Sequence, residues 1–523
     1  MGLGPKGLYC LERLLAHYYA APTSRRLHVD VFNRTGLFGA SPIYDPELPD
    51  YLIVNIKVGE IDIWDSRDPP PVVGDGQSFV AWCSSSSASR QSITGEEYLP
   101  RALVGQYLVD AFRLLLSKLP SGVTVACHVG EVVDIEPSGA GYSVIVVSKG
   151  RAQRTAADTI MLATGHSRTR QDGRQRRWSG FSARHPSCAF VPFVYPVEAR
   201  MAPIPPGSTV ACCGLGLTFI DALLELTEGR GGRFLRLDGR SLVYRPSGRE
   251  PGRILPFSRS GLPMLPKPDD IPTTQHRLRF ATAERFERLR RASPGGTLEL
   301  EGEVWSLCEL EMEAGYYRVL MRDKGSLRCL EAAGGDPQAA WDAIDGYLSE
   351  HPDDRLDWEE VLDPVSGWKA GNGPDFDRCI NSYLRREIAR AHEGEAGSPI
   401  KAALAVWYEV RGALGTLLRK GAFTPRAHRT LLREVLPRFK RVAFGPPAGN
   451  LEKLLALNDA GIVDFSVARN PAVTLDETAG LYLLSSSRFP GRARAEILVD
   501  ARYPQVDLAN DASPLVRNLL SRG

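Results

Sequence analysis

Apolar positions change period several times along the chain, and each change marks an element. Leu8, Leu11, Leu14, Leu15 and Tyr18 recur at helical spacing behind Pro5, which suits a first helical turn because its missing N–H has no partner there anyway. After Pro22, Leu27, Val29 and Val31 alternate with polar residues, the period of a strand. Val123–Cys127 and Gly130–Val147 alternate likewise, with Gly139 and Gly141 at a hairpin turn. Thr159–Leu162 reads as an apolar strand ending in Ala163-Thr164-Gly165, and Ser208–Cys213 as a buried parallel strand. A helix with Ile220, Leu223, Leu224 and Thr227 on one side follows, then a short run at Ile254–Phe257. Helical periods dominate from about Thr273 to Leu457, above all over Phe376–His392 and Pro399–Leu418. After Gly461, short alternating runs through Val499 predict a small antiparallel sheet.

Glycines stand where two of these elements meet. Gly2, Gly4 and Gly7 have the Gly-x-Gly-x-x-Gly spacing that joins a strand to a helix around a dinucleotide pyrophosphate. One makes the tight turn, one lets the backbone approach the phosphates, and one packs helix on strand. Only Met1 precedes Gly2, so the strand expected there is missing from the sequence. Asn33 ends the next strand, where an acidic residue ordinarily binds the adenosine ribose. A second turn, Gly214-Leu215-Gly216-Leu217-Thr218, has Phe219 in the third glycine position, which predicts a wider helix–strand spacing. Ser258-Arg259 lies just past the Ile254–Phe257 strand, where an Arg holds an NADPH 2′-phosphate; a solvated loop charge is the equal alternative.

The order glycine turn, hairpin, Ala-Thr-Gly and second glycine turn resembles the two-dinucleotide-domain FAD/NAD(P)-binding flavoproteins, and more distantly the flavin-dependent N-hydroxylating monooxygenases. Gly2–Gly7, Leu52–Ile56, Pro100–Leu108, Gly216–Asp221, Arg245–Pro251, Ser258–Gly261, Gly397–Pro399, Phe444–Pro447 and Ser513–Leu515 carry the resemblance. It implies an α/β fold: two Rossmann-like dinucleotide-binding domains with an inserted, mostly helical region. The divisions expected are an FAD-binding domain over 1–200, an NAD(P)-binding domain over 201–272, the helical insertion over 273–460, and a small antiparallel sheet over 461–523 returning to the FAD domain. It implies FAD and NADPH (or NADH) as cofactors. Gly2, Gly4, Pro5, Lys6, Gly7, Asn33, Asn55, Arg101, Ala163, Thr164 and Gly165 would lie on the FAD side, and Gly214, Gly216, Thr218, Ser258 and Arg259 on the nicotinamide side. For Asn55, Lys6 and Arg101 a turn-capping amide and two surface charges are the bland alternatives. Family members also carry a complete first strand and a closing segment beyond Leu520. Either the chain is clipped at both ends, the favoured reading at the N-terminus, or the protein has lost part of its flavin cradle, and residues 1–523 alone are expected to purify with well under one FAD per chain.

Composition narrows the class further. With 64 basic and 62 acidic residues there is no electrostatic case for nucleic acid or a membrane surface. Nine cysteines lack metal spacing, Cys212-Cys213 read as apolar filler, and no Cys-x-x-Cys supports a disulfide reductase. No signal peptide or long apolar run appears, so the cytoplasm is the expected compartment. The sequence leaves the oligomeric state open. Asp65–Gly76 reads as a loop over the cofactor, Cys83–Ser89 as a low-complexity loop, and Arg168–Arg177 as a solvated loop. Lys401, Trp407, Tyr408 and Arg411 are packing or the wall of a substrate pocket, packing being favoured. No catalytic dyad is visible, as expected where the flavin carries the chemistry. The leading expectation is an FAD- and NAD(P)H-dependent small-molecule monooxygenase. A flavin reductase or dehydrogenase, and a degenerate nucleotide-binding protein without catalysis, are the alternatives.

Overall fold

The computed structural model describes residues 2–21, 25–64, 68–85, 93–166, 169–237, 241–269, 276–369, 375–486, 492–504 and 507–522. Met1, residues 65–67 and 86–89 of the expected loops, and Arg168 lie outside them. The fold mixes helices with parallel and antiparallel sheets. Its contacts define two compact units, one of residues 1–180 with 503–523 and one of residues 181–502.

In the first unit, α1 (Pro5–Ala20) leads to β1 (Leu27–Asn33), which pairs in parallel with β2 (Val123–Val129) from Leu27↔Val123 to Asn33↔Val129. Helix α2 (Arg101–Ser117) precedes β2. Leu8, Leu11 and Leu15 of α1, Val31 of β1, and Val104, Leu108, Phe112 and Leu115 of α2 share one core. Leu14, expected on that face, is 38% exposed. Glu12 is buried in α1 instead, its charge met by Arg13 Nε at 2.6 Å and by the Val72 N–H at 3.2 Å. The expected hairpin is a three-stranded antiparallel meander, β3 (Glu131–Ser138), β4 (Gly141–Ser148) and β5 (Arg151–Ala157). The helix Pro514–Ser521 closes on β3, with Asn518 Nδ2 donating to the Val133 carbonyl at 2.9 Å.

Three local expectations are corrected. Thr159–Gly165 is not a strand: it runs past the Gly2 turn, and among the described residues no strand pairs with it, so Met161 and Leu162 stay about half exposed. Cys83–Ser85 belongs to a helix, Phe79–Ser85, because Phe79 and Cys83 are one turn apart and both buried. The Arg-rich loop likewise becomes helical at Gly173, within Gly173–Arg184, where the apolar Trp178 and Phe181 are buried.

In the second unit, β6 (Ala189–Val191) and β7 (Thr209–Cys213) enter one parallel sheet. Helix α3 (Leu217–Thr227) follows β7 and is buried from Thr218 to Thr227, on all sides rather than one. After it come a hairpin of β8 (Arg233–Leu237) and β9 (Ser241–Arg245), and β10 (Arg253–Phe257), parallel to β7. Pro256, which has no N–H to donate, sits in this edge strand. The helical region includes α4 (Glu303–Asp323), α5 (Phe376–Gly397) and α6 (Pro399–Arg419). Strands β11 (Ala472–Asp476), β12 (Leu481–Ser485) and β13 (Arg492–Ala495) form the expected antiparallel sheet. The next strand, β14 (Ile497–Asp500), lies instead in the parallel sheet, ordered β10-β7-β14-β6. Because a strand from the last expected segment is interior to the sheet that holds β7, residues 461–502 pack with 181–460. The contacts divide the chain at 180/181 and 502/503.

Within the helical region Glu311 of α4 is fully buried and gathers four donors: the Arg279, Phe280 and Ala281 N–H groups, at 2.9, 2.6 and 2.9 Å on one oxygen, and His276 Nε2 at 3.0 Å on the other. Burial pushes its carboxyl up, and these hydrogen bonds outweigh that, holding it below the usual carboxylate range. Lys401 and Trp407 are core residues, whereas Tyr408 is 39% exposed and Arg411 stacks over the Phe444 ring at 4.8 Å.

Candidate functional site

The first glycine turn is shaped by what surrounds it. Gly2 has φ +75°, a left-handed conformation that favours glycine, and a Cβ there would lie 2.1 Å from the Ala163 carbonyl oxygen. A Cβ on Gly7 would lie 2.3 Å from the Gly2 carbonyl oxygen. Both positions therefore exclude any side chain for reasons internal to the protein. Gly4, the N-cap of α1, differs: a Cβ there would meet only Ala40 and Ser41 at 3.5 Å, ordinary contact. Its lack of a side chain is not demanded by packing, which fits a backbone left bare for a pyrophosphate at a helix N-terminus. Pro5 occupies the first turn, and Lys6 beside it is exposed.

Ala163, Thr164 and Gly165 pass this turn as irregular backbone, with Gly165 at φ +75°. Asn33 is at the end of β1 as expected, and its amide is engaged by its own loop. Nδ2 donates to the Leu37 carbonyl at 2.9 Å, and Oδ1 accepts from the Thr35 N–H at 3.1 Å. Arg101 follows the Ile53–Pro100 bridge, and its Nε donates to the Ile53 carbonyl at 2.9 Å. Asn55 is half-buried.

The second unit repeats the arrangement. Gly214 follows β7 at φ +122°, and a Cβ on it would lie 2.9 Å from the Ala501 carbonyl oxygen. Gly216 caps α3, and Thr218 is buried in its first turn. Ser258 and Arg259 follow β10, so Gly214–Thr218 and Arg259 share the carboxyl edge of two paired parallel strands, where open α/β sheets bind ligands. Ser258 Oγ accepts from the Gly261 N–H at 3.0 Å and shapes the turn, while Arg259 is exposed. Asp500-Ala501, at the same edge where β14 ends, were missed by sequence reasoning. Buried Asp500 is held by Arg502 through Nε at 2.8 Å and Nη2 at 2.6 Å. The signal was present: Ile497–Val499 is an apolar run followed by Asp500 and the small Ala501.

Both turns thus press a glycine against an alanine carbonyl of a segment far away in sequence, Gly2 on Ala163 and Gly214 on Ala501. Residues 1–167 match the family model described as FAD-NAD(P)-binding. The whole chain aligns with an L-aspartate N-monooxygenase (nitrosuccinate-forming) of Streptomyces davaonensis at 28% identity, covering 84% of that protein. It aligns equally with the nitrosuccinic acid synthase of Aspergillus oryzae, at 28% identity over all of this chain and 81% of that one. Among solved structures, the ornithine N-hydroxylase of Kutzneria sp. 744 is matched over 97% of this chain and 81% of that chain, at 14% identity and a TM-score of 0.38, too low to carry an argument. Among the described residues no cysteine is in a disulfide, and Cys212 and Cys213 are buried in β7. Among the described residues no helix is long and apolar enough to cross a membrane.

Proposed function

We propose that the chain is an FAD- and NAD(P)H-dependent monooxygenase that oxidises the nitrogen of a small amino acid of the aspartate kind. The observation that carries this reading is the pair of glycine turns, each cleared of side chains beside an alanine carbonyl. Alignment of the whole chain with N-monooxygenases supports the reaction. We infer two Rossmann-like halves, with FAD at Gly2–Gly7 of the first unit and the nicotinamide cofactor at Gly214–Thr218 of the second.

FAD, when bound, supplies hydride acceptance from the nicotinamide and activation of dioxygen. The protein's part is binding and position. The bare backbone at Gly4 and the N–H groups opening α1 would hold the pyrophosphate, with Lys6 adding positive charge. Gly214, Gly216 and the start of α3 would do the same for the nicotinamide dinucleotide, and Arg259 would take its 2′-phosphate. Asn55 and Arg101 remain candidates for the flavin side, and Asn33 for the ribose once its loop contacts are exchanged.

The test is oxygen consumption with NADPH, with and without L-aspartate, plus mass spectrometry for an N-oxidised product. Substrate-dependent product supports the reading. NADPH oxidation with no oxygenated product in any amino-acid assay points to a reductase, and no oxidation at all to a nucleotide-binding protein without catalysis. A second prediction concerns Arg259. A charge-assisted bond to a 2′-phosphate is worth about 1.5–3 kcal/mol, so Arg259→Ala should weaken NADPH by roughly tenfold to a hundredfold and leave NADH nearly unchanged. Equal loss for both cofactors, or none for either, measured by titration calorimetry, would make Arg259 a solvated loop charge.

A further inference from the structure

His166, next after Ala163-Thr164-Gly165, is used by nothing described so far. We propose that it is a dinucleotide-binding residue of the first unit that meets the pyrophosphate as an imidazolium, so that FAD binding takes up a proton at His166, with Tyr503 orienting the ring. The inference rests on reading Gly2–Gly7 as the FAD turn and adds to it a residue and a pH dependence.

The geometry brings three groups together at that turn. The Ala163 carbonyl walls Gly2, and Gly165 at φ +75° turns the backbone immediately before His166. Tyr503 Oη is hydrogen-bonded to His166 Nδ1, and the two rings meet edge to face with centroids 5.0 Å apart and planes at 87°. Lys6, from the first turn of α1, is the charged group acting on the imidazole. Among the described residues, Lys6 and Tyr503 are the titratable groups that act on His166.

Tyr503 suits a residue that changes charge. A phenol hydroxyl donates to the bare Nδ1 of neutral histidine and accepts from Nδ1–H of the cation, so the pair is satisfied in both states. In both, Nε2–H stays available as a donor. Desolvation and then the Lys6 charge hold free His166 below the usual histidine range. A pyrophosphate at the α1 N-terminus brings two negative charges beside Lys6, offsetting its repulsion and favouring the imidazolium. The sign follows: the bound-state pKa exceeds the free-state pKa, protons are taken up between the two values, and FAD affinity rises as pH falls through that window.

The experiment is titration of FAD into the full chain by calorimetry between pH 6 and 8, in two buffers of different ionisation enthalpy. The expected result is proton uptake near pH 7 and a dissociation constant that falls by about threefold to tenfold from pH 8 to pH 6. In His166→Gln, FAD should bind more weakly, with no uptake and a flat profile. Tyr503→Phe, which keeps the titrating ring, should retain uptake at reduced affinity. If His166→Gln binds FAD with the parent's uptake and slope, the inference is overturned while the FAD turn stands. If the parent chain binds no FAD, the reading of the turn falls and the inference with it. Should His166→Gln fail to fold, NMR titration of the His166 ring decides: a pKa raised by FAD is expected, and an unchanged one overturns the proposal.

Discussion

Gly4→Ala should leave the fold intact and sharply weaken FAD, whereas Gly7→Ala should damage the fold itself. The two glycines lie three residues apart in one turn, and only their surroundings distinguish them. A methyl at Gly7 would sit 2.3 Å from the Gly2 carbonyl oxygen, and neither backbone atom can move without opening the turn. Such overpacking costs about 1–3 kcal/mol. A methyl at Gly4 meets ordinary contacts at 3.5 Å, and its φ of −80° is open to any residue. It would stand, however, where the pyrophosphate must approach the backbone. We expect FAD affinity to fall at least tenfold in Gly4→Ala, about 1.4 kcal/mol or more, at an unchanged urea midpoint. Parent-like FAD affinity in Gly4→Ala would remove the phosphate from this turn, and an unchanged midpoint in Gly7→Ala would show that the turn relaxes freely.

The largest stability loss is expected from Glu311→Ala. Its carboxylate, buried in α4, is the common acceptor for three consecutive backbone N–H groups and the His276 ring. Removing it leaves those donors buried and unpaired, a change that costs about 3–5 kcal/mol. Glu311→Gln, which retains one oxygen, should lose about 1–3 kcal/mol. Hydrogen exchange is the direct measurement, because the Arg279, Phe280 and Ala281 amides are the donors. Their exchange should accelerate by about a hundredfold to a thousandfold in the Ala variant. Parent-like protection there would mean the segment is held by other contacts. Glu311 also carries a sign for pH: its depressed native pKa makes a contribution that is complete above the unfolded carboxyl pKa and is lost as pH falls through the native one.

Local chemistry explains what the sequence alone determined. Leu27–Phe32 and Thr209–Cys213 were legible as strands in parallel sheets, and Pro5–Ala20 as a helix, because period and capping act over a few residues. The two glycine turns were legible for the same reason, as were the helices over Phe376–Gly397 and Pro399–Arg419. Other features were decided by tertiary structure, because they depend on partners distant in sequence. An apolar run such as Thr159–Leu162 has the composition of a strand, but a strand exists only beside another, and this run lies along a turn. Ile497–Asp500 looked like more of an antiparallel sheet and became the strand between β7 and β6, since its period cannot name its neighbours. Glu12 and Glu311, polar by type, are buried because donors from other segments converge on them. The sequence places glycines at Gly2 and Gly214; the steric need for them comes from Ala163 and Ala501, whose carbonyls reach those positions only once the chain has folded.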